Sequence, residues 1–177
     1  MTDATEPKRL YSGEQMNIAK NINAYLLDAD DVFVESRNKP VCNLLKLMPN
    51  ASLYHFGVLT SNVHMAWMRA VAGRLKSDYR YSKDIVYNNF PWPTPTEEQK
   101  SSIERTAQAI LSARETEPDA SLADLYDEAL MPAVLRKAHQ ANDRAVMKAY
   151  GFNVGGMTEA ACVAKLMKMY QALTEKA

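Results

Sequence analysis

The sequence predicts an α+β fold that is mostly α, with a small mixed N-terminal part of few short strands followed by a C-terminal helical bundle. Beyond Pro95, apolar residues recur at helical spacing over three segments, and the breaks between them coincide with proline or glycine. Before it, three segments at most have strand character, which is marginal for an independent sheet. The composition, 47% hydrophobic and 24% charged over 177 residues, is that of an ordinary globular chain long enough to bury a core. The change of character divides the chain into 1–93 and 94–177.

In chain order, Asp31-Val32-Phe33-Val34-Glu35 is the one strand-like piece of a polar start, and Ser36 to Pro40 ends it with turn residues. Leu44 to Met48 is a short apolar run closed by Pro49-Asn50. Leu53 to Leu59 is rich in aromatic and β-branched residues and predicts the best strand, with Gly57 marking a bulge or a close backbone approach. Thr60-Ser61-Asn62 offers N-cap side chains, and Val63, Trp67, Ala70, Val71 and Leu75 predict an amphipathic helix over 62–75. A polar, aromatic loop follows to Lys83, then a short strand at Ile85-Val86-Tyr87. The prolines at 91 and 93 make Asn88 to Pro93 an extended connector, with Phe90 and Trp92 stapling the two halves together.

The second half opens with a capping box, Thr96 with Gln99, ahead of a helix whose face is Ile103, Ala107, Ile110 and Leu111. Glu115 to Asp119 breaks it, and Ser121 to Asp127 is a short apolar–acidic piece. Pro132 suits a first helical position. From there Val134, Leu135, Ala138, Ala141, Ala145, Val146 and Ala149 predict a long helix that Gly151 stops. Thr158-Glu159 caps a last helix with Val163, Leu166, Met167, Tyr170 and Leu173 inside. No internal repeat or low-complexity tract is present.

The 21 basic and 21 acidic residues cancel, which argues against a strongly basic, self-sufficient nucleic-acid binder but not against a local basic patch. No apolar run approaches the roughly 20 residues of a membrane span, and the polar N-terminus has no signal stretch. Cys42 and Cys162 fit no disulfide framework or zinc pattern and read as two reduced thiols, so a cytoplasmic protein without membrane partners is expected. The glycine-rich, P-loop, zinc and nucleophile-elbow motifs are absent. His55 reads as a core or sheet-face histidine, His64 as a surface or capping residue near a helix start, and His139 as packing. Glu35 beside Arg37 is too little for a metal-dependent nuclease, which needs several convergent carboxylates. The 88–93 run lacks the Asn-Pro-Pro-aromatic order with which amino-methyltransferases hold a flipped base.

One segment carries recognisable chemistry. Arg74, Lys76, Arg80 and Lys83 are interleaved with Tyr79 and Tyr81, and Arg69 lies one helical turn earlier. Cations neutralise phosphates and phenols stack or hydrogen-bond, so these residues suit a duplex DNA surface. Lys76 and Asp78, two positions apart in an extended loop, point to the same side. A lysine donates to guanine O6 and N7 and an aspartate accepts from the cytosine amine, so the pair can read one G·C base pair. The competing reading is a solvated loop with a weak local ion pair.

The stretch LYHFGVLTSNVHMAWMRAVAGRLKSDYRYSKDIVYNNFPWP closely resembles the end of the target recognition domain of MmeI-like enzymes, single-chain type II restriction–modification proteins with an adenine-specific DNA methyltransferase domain. Leu122 to Asp127, Met131-Pro132, Ala138 to Val146, Ala149 to Gly151, and Thr158 to Thr174 resemble that family's C-terminal helical domain. Ile22 to Leu27 and Glu35 to Pro40 are similar to the segment where the family passes from methyltransferase to recognition. The family's nuclease, spacer and methyltransferase domains have no counterpart here, and only Val41 to Ser52 stands in for the long middle of its recognition domain.

The resemblance implies that the positions of Lys76 and Asp78 are base-reading determinants. It carries over no catalytic residue and no metal. S-adenosylmethionine is the cofactor of the full-length family, and none is expected in this chain. The reading is therefore a DNA-recognition and C-terminal fragment that is not itself an enzyme. It would bind double-stranded DNA weakly when alone, with a separate methyltransferase or nuclease chain as a partner. Its rivals are an inert remnant folding as a helical protein–protein interaction module, as a homodimer for instance, and a small enzyme of unknown type.

Overall fold

The computed structural model describes residues 8–10, 24–26, 48, 50–75 and 78–175. The Asp31–Glu35 strand, Cys42, most of the 44–48 run and Lys76 lie outside the described residues. Two short antiparallel ribbons are present: β1 (Lys8–Leu10) with β2 (Ala24–Leu26), and β3 (Gly73–Leu75) with β4 (Asp78–Arg80). The helices are α1 (Leu53–Leu59), α2 (Asn62–Val71), α3 (Glu97–Glu115), α4 (Leu122–Leu125), α5 (Ala133–Ala149) and α6 (Glu159–Thr174), with a π-helical turn at Lys83–Tyr87. The fold is mostly helical with small antiparallel ribbons, as the pattern of apolar residues predicts. No helix among the described residues is long and apolar enough to cross a membrane.

The predicted strand at 53–59 is instead helix α1. Its start is set locally: Ser52 is extended, its N–H donates to His55 Nδ1 at 3.1 Å, and its carbonyl accepts from Phe56 N–H. Its end is closed by hydroxyls, Thr60 Oγ1 donating to the Phe56 carbonyl and Ser61 Oγ to that of Val58, which satisfies last-turn acceptors. The deciding force is tertiary. The segment is wedged between two apolar clusters, Tyr54 and Val58 facing one and Phe56 the other, and among the described residues no strand lies beside it to pair with. Aromatic and β-branched residues favour strands only where a pleated neighbour exists.

Gly57 is a close approach, as the sequence suggests. A Cβ there would fall 2.6 Å from Ile103 Cγ2 and 3.0 Å from Asn142 Oδ1, so only glycine lets α1 sit in the angle between α3 and α5. Those two helices run antiparallel, Gln99 reaching the Lys148 carbonyl at one end and Thr106 meeting Asn142 further along. Asn142, fully buried, donates from Nδ2 to the Gly57 carbonyl at 2.7 Å and accepts from Thr106 at 3.1 Å. One amide thus joins three helices and leaves none of its main polar atoms orphaned.

Helix α2 ends at Val71, short of the predicted 75, because Ala72 turns extended and leads into β3. The predicted strand at 85–87 is the π-helical turn, capped by Ser82 Oγ accepting from Ile85 N–H. Its Val86 carbonyl accepts from Trp67 Nε1–H at 2.9 Å. The Thr96–Gln99 box, the Ser121 cap of α4 and the Thr158 cap of α6 are formed, and Gly151 stops α5 at φ +67. Pro132 is the N-cap of α5, one residue before the predicted place. Val134 and Leu173, assigned to interior faces by spacing, are 50% and 58% exposed.

The packing crosses residues 93 and 94 freely. Helix α1 lies on α3 and α5, and α2 lies on α6, so the helices of the second half close around those of the first. The connector joins them: Phe90 is buried between Trp67, His64 and Tyr150, while Tyr150 donates to the Pro91 carbonyl and Tyr54 to that of Pro93. Of the two expected staples, Phe90 reaches across to Tyr150, whereas Trp92 packs on Tyr54, His55 and Tyr87 of the first half.

Candidate nucleic-acid interface

The basic, aromatic segment after α2 is a hairpin rather than a loop. Gly73 pairs with Arg80, Arg74 with Tyr79 and Leu75 with Asp78. Lys76 lies outside the described residues, and of Asp78 only the backbone, in β4, is described. The other sequence-predicted residues fall into three settings.

Arg74 and Tyr79 form a cross-strand pair. The Arg74 guanidinium sits 4.4 Å from the Tyr79 ring centre, and its Nη2 donates to the Tyr79 hydroxyl at 2.8 Å. Such a pair stiffens a two-stranded ribbon while leaving the cation at the surface. Arg80 and Lys83 are exposed, and Lys83 lies 3.0 Å from Asp84 in an ion pair that is itself open to solvent. These three cations can meet phosphates. Arg69 has another engagement: Nε and Nη2 bind both carboxylate oxygens of Glu159 at 2.8 and 2.9 Å, tying α2 to the first turn of α6.

Tyr81 turns inward. Its hydroxyl meets His64 Nε2 at 3.1 Å and its ring packs against the core, and burial pushes its phenol above the ordinary range. His64 is correspondingly not the surface or capping group its place in α2 suggests. It is 2% exposed, edge-on to Phe90 at 4.5 Å, and burial pulls its pKa down to about 3. His55 belongs to the first turn of α1, not to a strand. His139 has a polar partner beyond packing: Nε2 meets the Tyr126 hydroxyl at 2.9 Å, and that hydroxyl accepts from Arg114 Nε at 2.8 Å and from Arg114 Nη2. Burial first, and the Arg114 charge second, bring the His139 pKa down to about 4, while burial raises that of Tyr126 to about 12. Burial likewise lifts the Cys162 thiol to about 11, so it is an unreactive core thiol.

Sequence reasoning missed one contact that sets the pose of α2. Asp143 on α5 accepts from the Asn62 backbone N–H at 2.8 Å and from Asn62 Nδ2 at 2.7 Å, placing a carboxylate at the positive end of α2. In the sequence, Asn142 and Asp143 stand inside the 138–146 stretch that resembles the family's C-terminal domain. What marks the pair is two adjacent polar residues on the edge of an otherwise apolar stripe.

An open groove of about 580 Å³ lies between α2, β4 and α6, lined by Ala66, Ala70, Tyr79, Ala160 and Val163 with the Arg69–Glu159 pair. It presents a shallow apolar wall rather than a closed pocket. No group of three or more His, Cys, Asp or Glu side chains placed to hold a metal occurs among the described residues.

Comparison with known proteins gives the hairpin its context. Residues 31–94 match the model of the MmeI target recognition domain, and residues 95–177 that of the MmeI C-terminal domain. DNA methyltransferase A of Bacillus subtilis (strain 168) is 41% identical over 134 residues, which is 76% of this chain and 15% of that protein. The solved structure of the Type IIL restriction–modification enzyme MmeI in complex with DNA is 47% identical, with a TM-score of 0.69 over 76% of this chain and 19% of that one. The chain therefore spans under a fifth of the length of either relative. By two adjoining domain matches that run without a gap from 31 to 177, this chain belongs to the MmeI family, carrying its target recognition and C-terminal domains.

Proposed function

We propose that residues 1–177 supply DNA recognition to an MmeI-like adenine-specific methyltransferase, and that methyl transfer and cleavage are carried by machinery outside these residues. The β3–β4 hairpin is the element that enters or flanks a groove of double-stranded DNA. The observation that carries this reading is its cationic edge. Arg74 and Arg80 stand at the surface of a two-stranded ribbon of the kind a major groove admits, and Lys83 is exposed at the start of the π-helical turn that follows it. In this reading Lys76 donates to guanine, Asp78 accepts from the paired cytosine, and the neighbouring cations neutralise phosphates. Tyr79 stays paired with Arg74. S-adenosylmethionine belongs to the catalytic machinery, and no step here passes through it. A separate methyltransferase or nuclease chain is the partner this arrangement calls for, and the cytoplasm its place.

The test is binding competition against a randomised duplex library at low salt. Arg74→Ala or Arg80→Ala is expected to weaken binding to all sequences alike and to flatten the salt dependence by about one phosphate contact. A Lys76→Glu, Asp78→Arg double swap exchanges donor and acceptor and is expected to move the preference at one position from G·C to C·G. A uniform change with no shift at any position removes the base-reading role. Methyl transfer to DNA by the pure chain, above a no-protein control, would contradict the division of labour.

A further inference from the structure

The hairpin's strands are three residues each, too short to hold a position by their own pairing. What fixes β4 is the residue that follows it. Tyr81 reaches back to His64, in the first turn of α2, and His64 is wedged edge-on against Phe90 of the connector. His64 Nδ1 is buried and has no hydrogen-bond partner among the described residues. Its apolar surroundings select the tautomer. A proton on Nδ1 would be a buried donor with nothing to bond, whereas a bare Nδ1 lone pair is the cheaper atom to leave unpaired, because acceptors are more often found under-satisfied. The proton then sits on Nε2 and donates to the Tyr81 hydroxyl.

We infer that His64 and Tyr81 are positioning residues for base reading: a neutral His64 carrying its proton on Nε2 holds the Tyr81 hydroxyl and thereby fixes where Asp78 and Arg80 stand. This rests on the recognition role proposed for the hairpin. The depressed pKa of His64, about 3, keeps the ring neutral through the physiological range. Arg69 on the same helix is bound to Glu159, and Lys83 and Asp84 of the π-helical turn after Tyr81 are exposed and pair with each other. The contact is therefore a fixed brace, not a pH switch. It acts on direction rather than on charge, since neither residue presents a cation to a phosphate.

Two measurements on the free chain and one with DNA test it. Long-range nitrogen–proton NMR reads the His64 tautomer directly, and a proton on Nδ1 overturns the inference. Tyr81→Phe keeps the ring and removes the hydroxyl. Amide exchange at the hydrogen-bonded pair of the β3–β4 ribbon, every second pair of an antiparallel ladder, is expected to quicken about tenfold or more, with the α3–α5 amides unchanged. Unchanged hairpin exchange overturns the brace. With DNA, Tyr81→Phe is expected to flatten the preference at the base pair read by Lys76 and Asp78 and to leave the salt dependence as it was. A merely structural role would instead lower binding to all sequences in proportion and keep the preference, and that result overturns the positioning role. If the unaltered chain binds no duplex, the DNA reading fails, and the tautomer and exchange results still decide the brace.

Discussion

The junction around Gly57 and the β3–β4 hairpin solve opposite problems. At the junction, three helices meet so closely that a single Cβ would collide with Ile103, and its one buried amide, Asn142, is hydrogen-bonded on both sides. Every group there has one place to be. The hairpin has two short strands, surface cations, and a link to the core that runs through Tyr79 and Tyr81. Rigidity in this molecule is concentrated where the two halves of the chain interlock, and the charged element is mounted on it by a few aromatic side chains. Such a mount suits the recognition role proposed for the hairpin, because surface side chains on a fixed base can vary without disturbing the core.

The sharpest way to break the contrast is Trp67→Ala. Trp67 is 1% exposed, packs on Phe90 and Tyr170, and donates to the Val86 carbonyl, so it belongs to both the core and the mount. Its loss is expected to cost about 3–5 kcal/mol in urea unfolding, and a value below 1 would mean that α2 is not the beam between the regions.

Acid separates the regions by way of one histidine in each. His139 at the α3–α5 side and His64 under the hairpin are both held below the ordinary 6.5, at about 4 and about 3. A depressed histidine pKa means that the unfolded chain binds the proton first. Stability is therefore full above about pH 7 and falls from 6.5 downward, each ring contributing up to about 1.4 kcal/mol per pH unit until its folded pKa is reached. At pH 5.5 the two together are expected to remove about 3 kcal/mol. His139→Gln should halve that slope, and a full slope in this variant would shift the assignment to His64 and other groups.

Gly57→Ala is the sharper probe of the junction alone. Overpacking against Ile103 and Asn142 is expected to cost about 1–3 kcal/mol and to leave the hairpin amides unaffected. A stabilising result, as glycine-to-alanine gives in an open helix, would show that the helices part easily.

The smallest expected effect is at Arg80→Ala, an exposed site. Stability should stay within about 0.5 kcal/mol of the unaltered chain, so a larger loss on unfolding would mean that Arg80 belongs to the mount rather than to the exposed edge.

The contrast also explains which parts of the molecule the sequence made readable. Helices α3, α5 and α6 followed from apolar spacing, and their ends from Thr96, Gly151 and Thr158, because capping and glycine chemistry act within a few residues of chain. The basic edge at Arg74, Arg80 and Lys83 was visible because charge clusters do not depend on packing. Leu53 to Leu59 was misread as a strand because the residues that favour a pleated sheet also fill the space between two apolar clusters, and periodicity cannot separate the two over seven residues. Val134 and Leu173 were misplaced for the related reason that spacing gives a face but not whether a neighbour covers it.

The residues alone established the helical character of the second half, the caps that bound its helices and the cationic character of the segment after Trp67, and they left Gly57 open between a bulge and a close approach. Only the tertiary structure decided that α1 is a helix, that Tyr81 faces His64 instead of solvent, that Arg69 is taken by Glu159, and that Asn142 and Asp143 join the two halves. The physical reason is range. Caps, turns and spacing are settled by residues a few positions apart, whereas the partners of Gly57, His64, Arg69 and Asn62 lie 85, 17, 90 and 81 residues away, where only the folded chain brings them together.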